Sequence, residues 1–304
     1  MSNTTLRLRR QLASAADLQA VVRTMKAVAA ANIGQYERSV EALADYCRAV
    51  DLGLGASFRD AERMAPGGPS VRTEDGGPIC AIVFGSDQGL VGRFNDEIAE
   101  HAVARLATLT DRPLVWAVGE RVGTRLLDSG ITPVDTAAVP NSVQGIAPLV
   151  GHLLIETEQL RSADGLSGQL HLFNNRPGAS VAVEVSHRRL LPLDAAWRQA
   201  LTAAPWPTQA LPEPLGSPTG TLRALIREHL FISMFRACAE SLASENASRL
   251  TAMERAEKNI DQLLGELRVT WQRLRQRDID EELFDVIAGF EALGSDGREG
   301  AGQA

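Results

Sequence analysis

Three glycines in the stretch FGSDQGLVGRFND, residues 84–96, could do chemistry, because many proteins cradle a phosphate in a glycine turn between a strand and a helix. Gly85, Gly89 and Gly92 are spaced by four and then by three residues. The dinucleotide-binding fingerprint requires G-x-G-x-x-G, and the phosphate loop requires G-x-x-x-x-G-K-[ST]. The stretch matches neither pattern and contains no lysine. We therefore expect these glycines to let a strand turn sharply and its backbone approach a neighbour.

The residues that follow the glycines also disfavour a bound phosphate. Asn95 is predicted to cap the next helix, which places Asp96 and Glu97 in its first turn. Carboxylates are stabilised there by the helix dipole, but they would repel a phosphate at the same position. The loop is therefore predicted to shape the fold and not to bind a nucleotide.

No other arrangement in the sequence predicts a catalytic, cofactor-binding or metal-binding site. The motifs G-x-S-x-G and H-E-x-x-H are absent. The histidines are isolated from one another and are interpreted as surface or core residues: His101, His152, His171, His187 and His229. An acidic cluster is predicted to be a solvated or partner-facing patch, since its members spread around several helix faces: Asp278, Asp280, Glu281, Glu282 and Asp285.

Composition narrows the class of protein further. The formal net charge of −7 argues against general nucleic-acid binding, which relies on a basic surface. Three cysteines lie far apart at positions 47, 80 and 238, so they predict neither a disulfide framework nor a zinc site and fit a reducing compartment. One uncharged run, residues 136–155, is long enough to span a membrane but contains two prolines and several polar residues, so it is not expected to do so.

Both ends of the chain carry a helical apolar seam. From Leu8 to Leu54, and again from Ile232 to Leu274, apolar residues recur every three or four positions with a mean period of about 3.5, which is typical of coiled coils. Exposure of either apolar seam to water is unfavourable. The two helices are therefore predicted to bury their seams against each other as an antiparallel coil formed by residues 1–63 and 219–293. A helical hairpin within an ordinary bundle is the alternative that periodicity leaves open.

The middle of the chain predicts an α/β domain inserted between these helices. Residues 79–190 alternate strands with helices and end in a hairpin, which indicates a mixed sheet with an antiparallel edge. Proline- and glycine-rich stretches at 64–78 and 191–218 are predicted linkers. Residues 294–304 are predicted to be a disordered tail. The predicted fold class is thus α/β plus a long antiparallel coiled coil.

Three stretches resemble one family, the gamma subunits of F-type rotary ATP synthases. They are TMKAVAAANI at 24–33, SDQGLVGRFN at 86–95 and ESLASENASRLTAMERAEKN at 240–259, and the last is long and specific. The order of helix, α/β domain and helix is similar as well. Departures occur at Val91 and Arg93 in the loop and in the acidic, bulky segment 279–293, which suggest an enzyme of an alternative, sodium-linked type.

The resemblance implies a non-catalytic rotor. The coil would stand inside a ring of three alpha and three beta subunits, and the α/β domain would contact the epsilon subunit and the membrane ring of c subunits. Nucleotide chemistry would occur on beta, so this chain would need no cofactor, metal or catalytic residue of its own. The complex would hold one copy of it, at the cytoplasmic face of the bacterial inner membrane, without nucleic acid.

The resemblance also implies which residues contact the beta subunit. Arg275 and Gln276 fall where the family hydrogen-bonds a loop of beta, although Asp278 and Asp280 offer Arg275 partners within its own helix. Met25 falls at the methionine that faces the acidic lever segment of beta. The contact would also include the two basic residues that flank this methionine: Arg23 and Lys26.

Two rival functions remain at the level of sequence. One is a nucleotide-binding α/β enzyme with a coiled-coil dimerisation hairpin, against which the missing phosphate motif and the match at 240–259 both argue. The other is a purely structural coiled-coil adaptor, which leaves the inserted α/β domain unexplained.

Overall fold

The computed structural model describes most of the chain and divides it into two compact units. The coil unit comprises Met1–Ala27 and Met253–Ala304, and the sheet unit comprises Val28–Ala252. The described residues are 3–64, 77–163, 168–178, 183–208, 212–213 and 216–299. Nearly all of the predicted linker 64–78 and the last five residues of the predicted tail lie outside these ranges.

Seven helices and five strands make up the described residues. The helices are α1 (Asn3–Ala42), α2 (Ala44–Met64), α3 (Phe94–Ala107), α4 (Glu120–Asp128), α5 (Val143–Ala163), α6 (Ala195–Ala203) and α7 (Pro218–Glu299). The strands are β1 (Ile79–Phe84), β2 (Leu114–Val118), β3 (Asp135–Ala137), β4 (Gln169–Arg176) and β5 (Glu184–Leu191). The predicted fold class, two long terminal helical segments around a mixed α/β sheet, is confirmed.

The boundaries differ from the sequence prediction in three places. A turn at Leu43 divides the N-terminal segment into α1 and α2. Helix α6 lies within the predicted linker 191–218, where the Asp194 carboxylate accepts hydrogen bonds from two backbone amides and starts the helix. Helix α7 continues to Glu299, past the predicted end at 293, since no proline interrupts that segment.

The sheet has the strand order β3-β2-β1-β4-β5. Neighbouring strands are parallel except for β4 and β5, which form the antiparallel edge that the hairpin signal predicts. Strand β1 is central and almost entirely buried, as its unbroken apolar sequence ICAIVF requires. Its carboxyl end therefore carries the glycine loop to the middle of one edge of the sheet.

Two apolar clusters cover the two faces of this sheet. On one face, Ile82, Phe84 and Trp116 pack with residues of α5 and α7. On the other face, Ala81, Val83 and Phe173 pack with residues of α3 and α4. Helix α7 is thus part of the core of the sheet unit as well as of the coil unit.

The coil unit is an antiparallel pair formed by the N-terminal part of α1 and the C-terminal part of α7. Buried residues on α1 lie seven positions apart at Leu8, Ala15 and Val22, which is the coiled-coil repeat. Cross-helix pairs run in opposite directions, because Thr5 donates to Asp278 whereas Arg23 pairs with Glu257. Among the described residues, we find no helix with the length and apolar character needed to cross a bilayer.

Candidate partner-binding surface

The glycine loop is held by hydrogen bonds within the sheet unit. The Ser86 amide donates to Asn95 Oδ1 at 2.9 Å, and Asn95 Nδ2 donates to Ser86 Oγ at 2.8 Å. A Cβ on Gly85 would lie 2.5 Å from Val122 Cγ1, so this glycine allows the close approach that the sequence predicts. The prediction that Asn95 caps α3 is wrong. Arg93 is the N-cap of α3, and its side chain makes no capping hydrogen bond. The side-chain amide of Asn95 does not act as the cap because it is hydrogen-bonded to Ser86.

The crevice beyond the carboxyl ends of β1 and β4 is where α/β proteins of this strand order bind ligands. Residues of α7 occupy it here. Asn174 Nδ2, near the end of β4, donates to Glu240 Oε2 at 3.3 Å. Glu245 is buried against Arg249 at 2.6 Å, and burial still raises the pKa of this carboxyl, helped by the charge of Asp87 in the glycine loop. Acidic side chains of α7 thus lie near the end of β4 and near the glycine loop, where their charge would repel a phosphate.

The coil unit carries the predicted basic contact residues on α1. Arg23 Nε lies 2.8 Å from Glu257 Oε1, and Lys26 Nζ lies 2.7 Å from Glu257 Oε2. The hydrogen bond and charge of Glu257 raise the pKa of Lys26, and hydrogen bonds from Lys26 and Arg23 lower the pKa of Glu257. The Arg23 side chain is still 58% exposed and the Lys26 side chain 37% exposed, so both retain free surface. Met25 lies half-buried between them.

The other predicted contact residues lie further along α7. The Arg275 guanidinium carbon is 5.3 Å from the ring centroid of Trp271, one helical turn earlier, which is a cation–π geometry. Arg275 and Gln276 are both exposed. In the part of the chain that the structure describes, Arg275 has no ion-pair partner. Asp278 instead accepts a hydrogen bond from Thr5 Oγ1 at 3.1 Å.

The structure therefore brings the five predicted residues together as two patches and not as one site. The first, the Lys26 patch, consists of Arg23, Met25 and Lys26. The second, the Arg275 patch, consists of Trp271, Arg275 and Gln276. Glu257 and Arg275 are separated by eighteen positions on α7, a rise of about 27 Å along a helix.

Two features of this surface were missed at the level of sequence. Trp271 lies within the apolar seam that the sequence predicts from Ile232 to Leu274, but its spacing of four residues from Arg275 indicates that these two side chains can meet. The coil unit also exposes many large apolar side chains. Some of them belong to the predicted apolar seam and were expected to be buried, and the others lie outside it. The exposed side chains are Leu6, Leu18, Val21, Leu263, Val269, Ile279, Leu283, Phe284, Val286 and Ile287.

Comparisons with known proteins agree with the geometry. A family model described as "ATP synthase" matches residues 4–293. An "ATP synthase gamma chain" of Bdellovibrio bacteriovorus is 25% identical over 94% of this chain and 97% of its own, and one of Rhizorhabdus wittichii is 28% identical over 94% and 98%.

Solved structures show the same fold. A chain of the Euglena gracilis mitochondrial ATP synthase, from an OSCP/F1/c-ring structure, matches with a TM-score of 0.59 and 17% identity, covering 99% of this chain and 98% of that one. A chain of the Tetrahymena thermophila central stalk/c-ring structure matches with a TM-score of 0.54 and 20% identity, covering 78% and 99%. The chain therefore belongs to the ATP synthase family, and within it to the gamma chains, which are non-catalytic rotor subunits.

Proposed function

We propose that this gamma chain couples rotation of a membrane ring of c subunits to conformational change at catalytic sites on three beta subunits. Its coil unit stands within a ring of alpha and beta subunits, and its sheet unit contacts the epsilon subunit and the c ring. One copy serves each complex, which sits peripherally at the cytoplasmic face of a bacterial inner membrane. The matched ATP synthase gamma chains and the matched central-stalk and F1/c-ring structures support an assembly of this kind.

The observation that carries this proposal is the exposed apolar surface of the coil unit. Phe284, Val286 and Leu283 are 69%, 62% and 58% exposed, and they continue a series of exposed apolar residues on both helices. A soluble protein rarely leaves so much apolar surface in contact with water unless a partner covers it. A ring of subunits around the coil would cover it on all sides.

Coupling follows from the asymmetry of the coil unit. One helical stretch presents the Lys26 patch and another presents the Arg275 patch, so each beta subunit meets different residues at a given rotor angle. A rotor angle that stabilises one beta conformation more than another shifts the affinity of that catalytic site. The free energy of nucleotide binding and the rotor angle are then linked in both directions.

The Arg275 patch is suited to act as a latch on a beta subunit. Arg275 is exposed and unpaired within the described residues, so its guanidinium donors are available to a carboxylate or carbonyl of a partner. Trp271 supports the guanidinium from one side and reduces its freedom before binding. Gln276, next to it, adds an amide donor and acceptor.

The Lys26 patch is suited to a different contact. Glu257 already neutralises much of the charge of Arg23 and Lys26, so a beta carboxylate would share these cations with Glu257. Met25 would add a flexible apolar contact between them. We therefore expect substitutions here to change the rate less than substitutions at Arg275.

The test is the double variant Arg275→Ala/Gln276→Ala in a reconstituted alpha–beta–gamma complex. Losing a partly buried charged pair costs about 2–5 kcal/mol, so ATPase turnover should fall at least about tenfold if the pair stabilises the rate-limiting state. Arg277→Ala is the matched control, because Arg277 is an exposed arginine of the same helix whose ion pair, among the described residues, is with Glu281 of its own helix.

Complex assembly is checked by gel filtration before turnover is measured. If the double variant assembles and its turnover stays within about a factor of two of wild type, Arg275 is an ordinary surface arginine, worth less than about 1 kcal/mol, and the latch proposal fails.

A further inference from the structure

We propose that Asp135, His152 and Glu156 form a zinc-binding site on the sheet unit. One ligand atom from each side chain lies within 4.8 Å of the other two. His152 and Glu156 come from α5, and Asp135 comes from β3. The site is distinct from both patches of the coil unit and requires no part of the rotor function.

The fold brings these three residues together through the register of the sheet. Asp135 on β3 is the direct neighbour of Trp116 on β2, and paired residues on adjacent strands point to the same face. Helix α5 packs on that face, where Trp116 belongs to the same apolar cluster as residues of α5. His152 and Glu156, four residues apart, lie on one side of that helix.

The geometry fits a small divalent cation with nitrogen and oxygen ligands. His152 Nε2 and Glu156 Oε1 are 3.4 Å apart. Two ligands of a tetrahedral zinc ion with bonds of about 2.1 Å are separated by about 3.4 Å. Asp135 would complete a set of three protein ligands, and water would take the fourth position.

A partly buried hydrogen bond orients Glu156 for this role. The indole N–H of Trp116, a residue only 1% exposed, donates to Glu156 Oε2 at 2.7 Å. That bond occupies one carboxylate oxygen and leaves the other, Oε1, directed at His152. Metal-binding carboxylates and imidazoles are commonly held by such outer partners, which set the orientation of the ligand atom.

An ordinary ion pair between His152 and Glu156 accounts for two of the three residues but not for Asp135. Asp135 brings a second carboxylate beside Glu156, and like charges at this distance repel each other. A divalent cation would offset both carboxylates at once. Zinc suits the set because it accepts mixed imidazole and carboxylate ligands, whereas Mg²⁺ and Ca²⁺ prefer oxygen ligands alone.

A bound zinc ion would fasten an edge of the sheet. Strand β3 has three residues, and within the described sheet it pairs with β2 alone. Coordination by His152 and Glu156 would tie it directly to α5, so zinc should raise the midpoint of thermal unfolding of the chain.

The test is a zinc titration of the full chain after treatment with a chelator. Calorimetry should show one equivalent of zinc per chain. In the same titration, the Trp116 indole N–H resonance should shift in the nitrogen–proton correlation spectrum, because Trp116 contacts a ligand. Asp135→Asn and His152→Gln should each weaken zinc binding at least about tenfold. Loss of a residue that only hydrogen-bonds a metal ligand already weakens metal binding by about tenfold or more, and loss of a ligand should weaken it at least as much.

Asp111→Asn and His101→Gln are the matched controls, since both alter exposed residues of the same unit, and both should bind zinc as wild type does. All four substitutions are on the surface, and circular dichroism checks that each variant is folded. Binding that survives both Asp135→Asn and His152→Gln, an unshifted Trp116 resonance, or full competition by millimolar Mg²⁺ would each overturn the proposal.

Discussion

His171 shows how one residue of the sheet unit depends on its surroundings. It is 3% exposed, its Nδ1 lies 2.9 Å from His187 Nε2, and its Nε2 lies 2.9 Å from Gln169 Oε1. Burial, followed by the nearby charges of His187, Arg189 and Arg105, lowers the pKa of His171 to about 4. The folded chain therefore keeps this imidazole neutral at pH values where an unfolded chain protonates it.

This difference predicts a loss of stability in mild acid. Between about pH 6.5 and pH 4 the unfolded state binds a proton at His171 that the folded state does not, so the free energy of unfolding falls as the pH falls. The loss should approach about 3 kcal/mol at pH 4. Urea unfolding measured across this range should show the slope in wild type.

Two variants test the assignment in metal-free buffer. His171→Gln should flatten most of the slope and leave a smaller part from His187, whose pKa burial also lowers. His187→Gln should remove only that smaller part of the slope. Equal slopes in wild type and His171→Gln would show that His171 is not the group responsible.

At the scale of elements, the junction of β1, the glycine loop and α3 follows partly from sequence. The apolar, β-branched run at 79–84 predicts β1 with its observed limits. Helix α3 begins at Phe94, two residues before the predicted start, and Asp96 and Glu97 lie in its first turn as expected. The role of Asn95 was not predictable from local preference, because its hydrogen bond to Ser86 exists only once the loop has folded.

Other features of the elements divide in the same way, into those with a local signal in the sequence and those that depend on packing in the folded chain. A period of about 3.5 identifies the coil and its burial at Leu8, Ala15 and Val22, but it cannot reveal the single-residue interruption at Leu43. The cation–π pair on α7 has a local spacing that sequence can show. The Asp135–His152 pair depends on the packing of α5 on the sheet and has no local signal.

Two glycines of the glycine loop, Gly85 and Gly89, are predicted to respond differently to substitution by alanine. A Cβ at Gly85 would lie 2.5 Å from Val122 Cγ1 and 2.8 Å from Asn95 Oδ1, whereas a Cβ at Gly89 meets no atom within 4 Å. Gly85→Ala should therefore destabilise the chain by about 2 kcal/mol through overpacking. Gly89→Ala should change the free energy of unfolding by less than about 0.5 kcal/mol.

Denaturant unfolding of the two variants measures the difference. A phosphate-binding loop would depend on both glycines for its backbone approach to the ligand, whereas a structural junction depends on Gly85 alone. Equal destabilisation by the two substitutions would contradict the structural interpretation.

At the scale of the whole molecule, one helix serves both units. In the sheet unit, α7 supplies Cys238, Ala239 and Leu242 to the core and places Glu240 and Glu245 at the crevice beyond β1 and β4. In the coil unit, the same helix pairs with α1 through Glu257. Residues of α7 therefore lie where other proteins of this strand order bind nucleotides, so we do not expect a nucleotide to bind there in this chain.

We therefore expect the purified chain to bind no ATP tightly and to hydrolyse none. A nucleotide phosphate at the crevice would meet Asp87, Glu240 and Glu245 there, and Asp96 with Glu97 at the start of α3, on a chain whose net charge is −7. Calorimetric titration with magnesium-bound ATP up to millimolar concentration should show only the heat of dilution.

The contrary outcome has a distinct signature, because Gly89 has open space around it and a larger residue there leaves the packing intact. If the chain binds ATP with micromolar affinity and Gly89→Val abolishes binding without altering its circular dichroism, the loop holds a nucleotide after all. The same affinity in Gly89→Val would place the nucleotide elsewhere on the chain. Either result would contradict a rotor whose nucleotide chemistry lies wholly on its partners.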